Sequence, residues 1–129
     1  MPEQALRIYF VLGEASGDAL GADLLGSFAA LGVSVEHRGL AGARMQALGA
    51  RSLFDIADLA VMGVSAVLAR LPTILARIRQ TARDIVAERP DAVVLIDSPD
   101  FCHRVARRGR RALPDVPIVK YVFPRGLAL

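Results

Sequence analysis

Apolar residues follow two alternating rhythms along this chain. Residues 7–12 form a compact β-branched and aromatic run that stops at Gly13, which predicts a buried strand. Beyond the loop at 13–18, Leu20, Leu24, Phe28 and Leu31 recur at helical spacing, and Gly32 stands where a helix-ending glycine belongs. Val33 and Val35 alternate with polar neighbours as far as Arg38, a second strand; a glycine turn at 39–42 and a short helix at 43–48 follow, then a brief third strand at 52–54. Two helices are expected at 58–71 and 73–88, separated by Pro72, which cannot continue the first but suits the opening turn of the second. In the second, Ile74, Ile78 and Ile85 share a face that excludes Arg77, Arg79 and Arg83. Residues 92–96 read as a central parallel strand, 97–100 as a loop, 101–113 as a helix and 118–122 as a last strand.

Strands alternating with helices of this length predict an α/β fold: a doubly wound parallel sheet, covered on both faces and joined by right-handed crossovers. Ligands of such sheets sit beyond the carboxyl ends of the strands. Two polar loops occupy that edge, 13–18 after the first strand and 97–100 after the fourth. Gly13, Gly17 and Gly21 recur every four residues, which is neither the dinucleotide fingerprint nor a phosphate loop, and the carboxylates of Glu14 and Asp18 repel phosphate. Such a loop suits a neutral polar group such as a sugar hydroxyl, with Glu14 as acceptor; the alternative is that Ser16 or Asp18 merely N-caps the following helix. In the second loop Asp97 and Asp100 flank Pro99 and suit a general base or a helix cap; a metal clamp lacks a third oxygen-rich cluster.

Composition narrows the class. At 129 residues, 53% hydrophobic and a formal charge of +3, the chain fits one domain with a real core. Cys102 is the single cysteine, so a reducing, cytosolic compartment is expected, and His37 and His103 are too far apart in sequence for a usual zinc motif. Cys102 itself reads as a small buried hydrophobe rather than a nucleophile. No signal peptide or spanning helix is legible. Around 58–71, Leu59, Val61, Met62, Val64, Val67, Leu68 and Leu71 point almost all round the helix, as in deep burial or contact with a partner, lipid chain or membrane. Arg104, Arg107, Arg108, Arg110 and Arg111 share one arc of the 101–113 helix, with Val105, Ala112 and Leu113 facing the other way; the arc suits a solvated face or anionic headgroups. With 5% aromatic residues and no stacking platform among the basic ones, no nucleic-acid partner is expected.

Four ordered segments carry a resemblance: RIYFVLGEASGD at 7–18, GARMQALG at 42–49, LAVMG at 59–63 and IDSPDF at 96–101. Together they resemble the lipid-A-disaccharide synthases, over nearly the whole chain but only the N-terminal half of such an enzyme. The resemblance implies a Rossmann-like half of a two-domain GT-B glycosyltransferase. That family transfers 2,3-diacylglucosamine from UDP to the 6-hydroxyl of 2,3-diacylglucosamine 1-phosphate, at the cytoplasmic face of the inner membrane and with no metal or organic cofactor. By motif, Glu14, Ser16 and Asp18 line the acceptor side, Asp100 is the base with Asp97 behind it, and Val61, Met62, Val64, Leu68 and Leu71 meet acyl chains or bilayer. The family continues after its Tyr-Val strand with Ser-Pro-Ser-Val-Trp-Ala-Trp, whereas here Tyr121-Val122 is followed by Phe123-Pro124-Arg125-Gly126-Leu127-Ala128-Leu129. The expectation is therefore an acceptor-side domain, truncated and without a donor-binding domain, and inactive alone. The rival reading is a non-catalytic membrane- or partner-binding α/β module, with a generic nucleotide-binding domain third.

Overall fold

A computed structural model describes residues 5–60, 64–97 and 99–121, with the backbone alone of Val64 and Pro99. Its elements are β1 (Leu6–Val11), α1 (Ala15–Ala30), β2 (Val35–Gly39), α2 (Ala43–Ala47), a 3-10 turn (Ile56–Leu59), α3 (Val64–Glu88), β3 (Ala92–Ile96), α4 (Pro99–Ala112) and β4 (Ile118–Tyr121). The four strands are all parallel in the order β2-β1-β3-β4. This is the expected doubly wound α/β sheet. β1 lies inside the sheet, and from Tyr9 to its end at Val11 it is wholly buried, because one face carries α1 and α2 and the other α3 and α4.

Three local expectations are corrected. Residues 52–54 form no strand. The Ser52 hydroxyl accepts from Ala41 N at 3.0 Å and donates to Phe54 O at 2.6 Å, which curls the segment into a turn, and a single backbone bond from Leu53 N to Gly39 O is its tie to the end of β2. Pro72 does not separate two helices but lies inside α3. Its missing N–H deprives the Leu68 carbonyl of a partner on a stretch open to water, while Ile78, Ala82 and Ile85 anchor the rest of the helix in the core. In α4 the buried stripe is Phe101, Cys102, Val105 and Gly109, and Ala112 is exposed rather than facing the core. Gly32 (φ 75°) ends α1 as expected: its N–H bonds Ala29 O, and the Val33 N–H bonds Phe28 O.

Core packing also fixes a protonation state. The His37 ring stacks on Phe10, with centroids 5.1 Å apart and planes 9° from parallel, and its Nε2 lies 2.9 Å from Leu40 O. A carbonyl only accepts, so Nε2 carries the proton of the neutral ring. Burial lowers the His37 pKa below its ordinary 6.5. The unfolded chain therefore takes up this proton first as pH falls, so the contribution to stability is complete above the ordinary value and declines below it. Urea unfolding is expected to show a falling midpoint between about pH 7 and pH 5, with a slope of at most about one proton. In His37→Gln that part of the slope disappears; an unchanged slope would assign the decline to other groups.

Candidate active site at the sheet switch point

From β1 the chain crosses to β2 on one side and later returns to β3 on the other, so the loops after β1 and β3 diverge and leave a crevice at the strand carboxyl ends. The crevice holds a chain of polar groups. The Ser16 hydroxyl donates to Asp97 Oδ2 at 3.0 Å and lies 3.4 Å from Glu14 Oε2; with one proton to give, its shorter bond is to Asp97. Asp97 has φ 52°, a left-handed backbone uncommon for a residue with a side chain and least unfavourable for Asp and Asn. Glu14 is the N-cap residue of α1 but its side chain makes no capping bond. The Ser16 hydroxyl is likewise engaged elsewhere, on Asp97, so of the two expected caps Ser16 is not one, and Asp18 turns to α2.

Asp18 is 4% exposed, and its carboxylate binds α2 instead of its own helix. Oδ1 accepts from Gly42 N (2.9 Å) and Met45 N (3.0 Å), and Oδ2 from Arg44 N (2.8 Å). Close approach explains the four-residue glycine spacing. A Cβ at Gly21 would lie 2.5 Å from Met45 Sδ, and one at Gly17 would lie 3.2 Å from both Ile96 O and Leu12 Cβ. The stripe thus seats α1 against the end of β3 and against α2.

Beside this loop opens a cavity of about 680 Å³, running from Glu14 and Asp18 past Gly42 and Gln46 to Phe54 and Asp55. Its far wall, from Phe54 through the 3-10 turn, is fastened to α3 by Arg77. That guanidinium bonds Asp58 Oδ2 at 2.6 Å and Gln80 Oε1 at 2.7 Å, and sits 4.7 Å over the Phe54 ring. The residues of this wall lie outside any motif whose chemistry is legible locally, and only the fold brings them to the site.

Asp100 is the second residue of α4, exposed, and without a hydrogen-bond partner among the described residues; as a residue inside the helix it is not the N-cap. Of the sequence-derived site residues, Glu14, Ser16 and Asp97 are thus linked directly, Asp18 lines the cavity with its oxygens occupied, and Asp100 follows Asp97 by three positions. Cys102 lies buried beneath, its thiol directed to Val11 O at 3.4 Å, and burial pushes its pKa up to about 12, as suits a packing residue. Among the described residues no group of three His, Cys, Asp or Glu side chains is arranged to hold a metal ion.

The lipid-contact residues divide. Val61 and Met62 lie outside the described residues, as does the side chain of Val64. Leu68 and Leu71 are 64% and 41% exposed, and with Val67 and Leu75 they form an open apolar face on the first half of α3, so deep burial is not what this segment's composition provides for. Leu75 and Ile78 border a groove whose other side is Arg104, Arg107, Arg108 and Arg111 of α4.

The family model of the lipid-A-disaccharide synthetases matches residues 8–128. Lipid-A-disaccharide synthases of Rhodopseudomonas palustris (strain HaA2) and Nitrobacter hamburgensis are 48% and 49% identical over 119 residues, and that of Rhodospirillum centenum is 46% identical over 120, in each case covering 92% of this chain. The chain spans about 30% of the length of these curated relatives. With identity near one half over nine-tenths of its residues, and with the parallel sheet and crevice in place, the chain belongs to the lipid-A-disaccharide synthetase family.

Proposed function

We propose that this chain forms the acceptor side of a lipid-A-disaccharide synthase, a glycosyltransferase that joins 2,3-diacylglucosamine, carried on UDP, to 2,3-diacylglucosamine 1-phosphate. The reading rests on one observation above all: the Glu14–Ser16–Asp97 linkage at the switch point, whose Glu14 end lines a cavity of about 680 Å³. In the reaction the acceptor's 6-hydroxyl oxygen attacks the anomeric carbon of the donor, a carboxylate takes its proton, and UDP leaves with the bonding electron pair. Asp97 fits the base role better than Asp100, because its carboxylate is oriented by Ser16 while Asp100 has no hydrogen-bond partner among the described residues. Asp100 then supplies a second negative charge in the first turn of α4. The isotope-labelled chain, titrated with 2,3-diacylglucosamine 1-phosphate in neutral detergent, is expected to shift the amides of residues 13–16 and 97. UDP alone is expected to leave them in place, and the reverse pattern would overturn the reading.

A second part of the proposal is peripheral attachment to the cytoplasmic face of the inner membrane. Among the described residues no helix is long and apolar enough to cross a membrane. The exposed Leu68 and Leu71 stripe and the neighbouring arginines of α4 combine apolar insertion, which salt does not screen, with electrostatic attraction, which it does. Sedimentation with anionic liposomes is expected to pellet the chain at low salt and, in part, at high salt; Leu68→Ser with Leu71→Ser removes the salt-resistant part. Equal recovery in the supernatant with and without anionic lipid at low salt would count against both surfaces.

A further inference from the structure

The cavity beside Glu14 has a charge character that the family relationship does not specify. Its lining carries three carboxylates, Glu14, Asp18 and Asp55, and no lysine, arginine or histidine. Asp18 is spent on three backbone amides. Asp55 uses Oδ1 to accept from Ala57 N at 3.0 Å, which leaves Oδ2 without a partner among the described residues. Glu14 likewise has one oxygen beyond reach of the Ser16 hydroxyl. Gln46 also lines the cavity, its amide nitrogen donating to Ala41 O at 3.0 Å and its carbonyl oxygen without a partner among the described residues. The wall also has Ser52, whose hydroxyl is taken up by Ala41 N and Phe54 O, and the apolar Phe54, Ile56, Ala57 and Ala60. Unused acceptors facing an apolar wall match the hydroxyls and C–H surface of an uncharged sugar, whereas a phosphate brought among them meets only like charge.

We infer that this cavity admits the hydroxyl end of an acylated hexosamine and keeps the phosphate end outside, with Glu14 and Asp55 as the residues that select the orientation. The inference rests on the acceptor-side reading and sharpens it. A hexosamine carrying phosphate at carbon 1 enters with its 6-hydroxyl leading, toward Glu14, the member of the Glu14–Ser16–Asp97 linkage that lines the cavity. One carrying phosphate at carbon 6 has to bring that group into a cavity lined by carboxylates and by no cationic side chain. Gln46 adds an acceptor without charge, so it supports binding of either sugar but does not discriminate between them.

The probes are N-octanoylglucosamine 1-phosphate and N-octanoylglucosamine 6-phosphate, each titrated into the isotope-labelled 129-residue chain. The 1-phosphate is expected to shift amides along the wall, Gly42, Gln46, Asp55 and Ala57, and to bind at least about tenfold more tightly than the 6-phosphate. Asp55→Asn keeps the side-chain oxygen that accepts from Ala57 N and removes the charge, with an NH₂ donor in place of the free acceptor; it is expected to improve binding of the 6-phosphate severalfold and to weaken the 1-phosphate, so that the preference between the isomers narrows. Equal affinity for the two isomers, or an Asp55→Asn variant that changes both alike, would overturn the inference while leaving the acceptor-side reading intact. Failure of both probes to shift any residue of the cavity or of loop 13–16 would instead remove that reading and the inference together.

Discussion

Asp18→Ala is expected to destabilise the chain by about 3–5 kcal/mol, a large part of the roughly 5–15 kcal/mol that holds a domain of this kind folded. The substitution removes the acceptor for three N–H groups, those of Gly42, Arg44 and Met45, in a position where Asp18 is 4% exposed and water has little access. Each buried donor left unpaired costs about 1–3 kcal/mol, and relief of the carboxylate's own desolvation offsets part of the sum. Asp18→Asn separates geometry from charge. Its side-chain oxygen can still serve Gly42 and Met45, but its NH₂ group faces the Arg44 N–H, so an intermediate loss is expected. Urea denaturation measures both, with the amide shifts of Gly42, Arg44 and Met45 reporting whether α2 has come away. A loss in Asp18→Ala within about 1 kcal/mol, the scale of one ordinary hydrogen bond, would show that the clamp is not what holds α2 against α1.

The same residue shows where sequence reading succeeds and where it stops. The loop at 13–18 is recognisable as a polar turn at a strand end because β1 announces itself by an unbroken apolar run and α1 by its spacing. The partner of Asp18, however, is 24 or more positions away, and nothing local to the loop indicates which amides it meets. The glycine spacing of four was legible as an unusual pattern; that Gly17 and Gly21 make room for Ile96 and Met45 depends on the register of two other elements. Pro72 misleads because local sterics argue for a boundary, while the anchorage of Ile78 and Ile85 in the core carries the helix through it. In the sequence Arg77 stands only as a residue off the apolar face. Its work is tertiary: it reaches 19 positions back to Asp58 and covers the Phe54 ring, thereby shaping the cavity wall. Asp97 and Asp100 look equivalent as a motif, and they separate only through Ser16, 81 residues before Asp97.

The 129-residue chain alone is expected to form no disaccharide. Transfer from UDP requires donor and acceptor held within attack distance and positive or hydrogen-bonding groups around the departing diphosphate. The cavity offers carboxylates and no cation, and the arginines that are plentiful in α4 lie on its exposed arc, beside Leu75 and Ile78 rather than beside Asp97. The proposed base and acceptor pocket thus bring no cation of the cavity lining to the departing diphosphate. The part of the Rhodopseudomonas palustris relative that this chain does not span can be supplied in trans, and any turnover then gained tests the proposed base directly. There, Asp97→Asn is expected to lower the rate by about 10²–10⁴-fold, the usual contribution of a positioned general base. Asp100→Asn is expected to cost less, because only Asp97 is tied to the Ser16 hydroxyl. The assay is disaccharide formation from UDP-diacylglucosamine and the monosaccharide phosphate. Product from the chain alone above the no-protein control would show that it carries its own diphosphate site; a larger loss in Asp100→Asn than in Asp97→Asn would return the base role to Asp100.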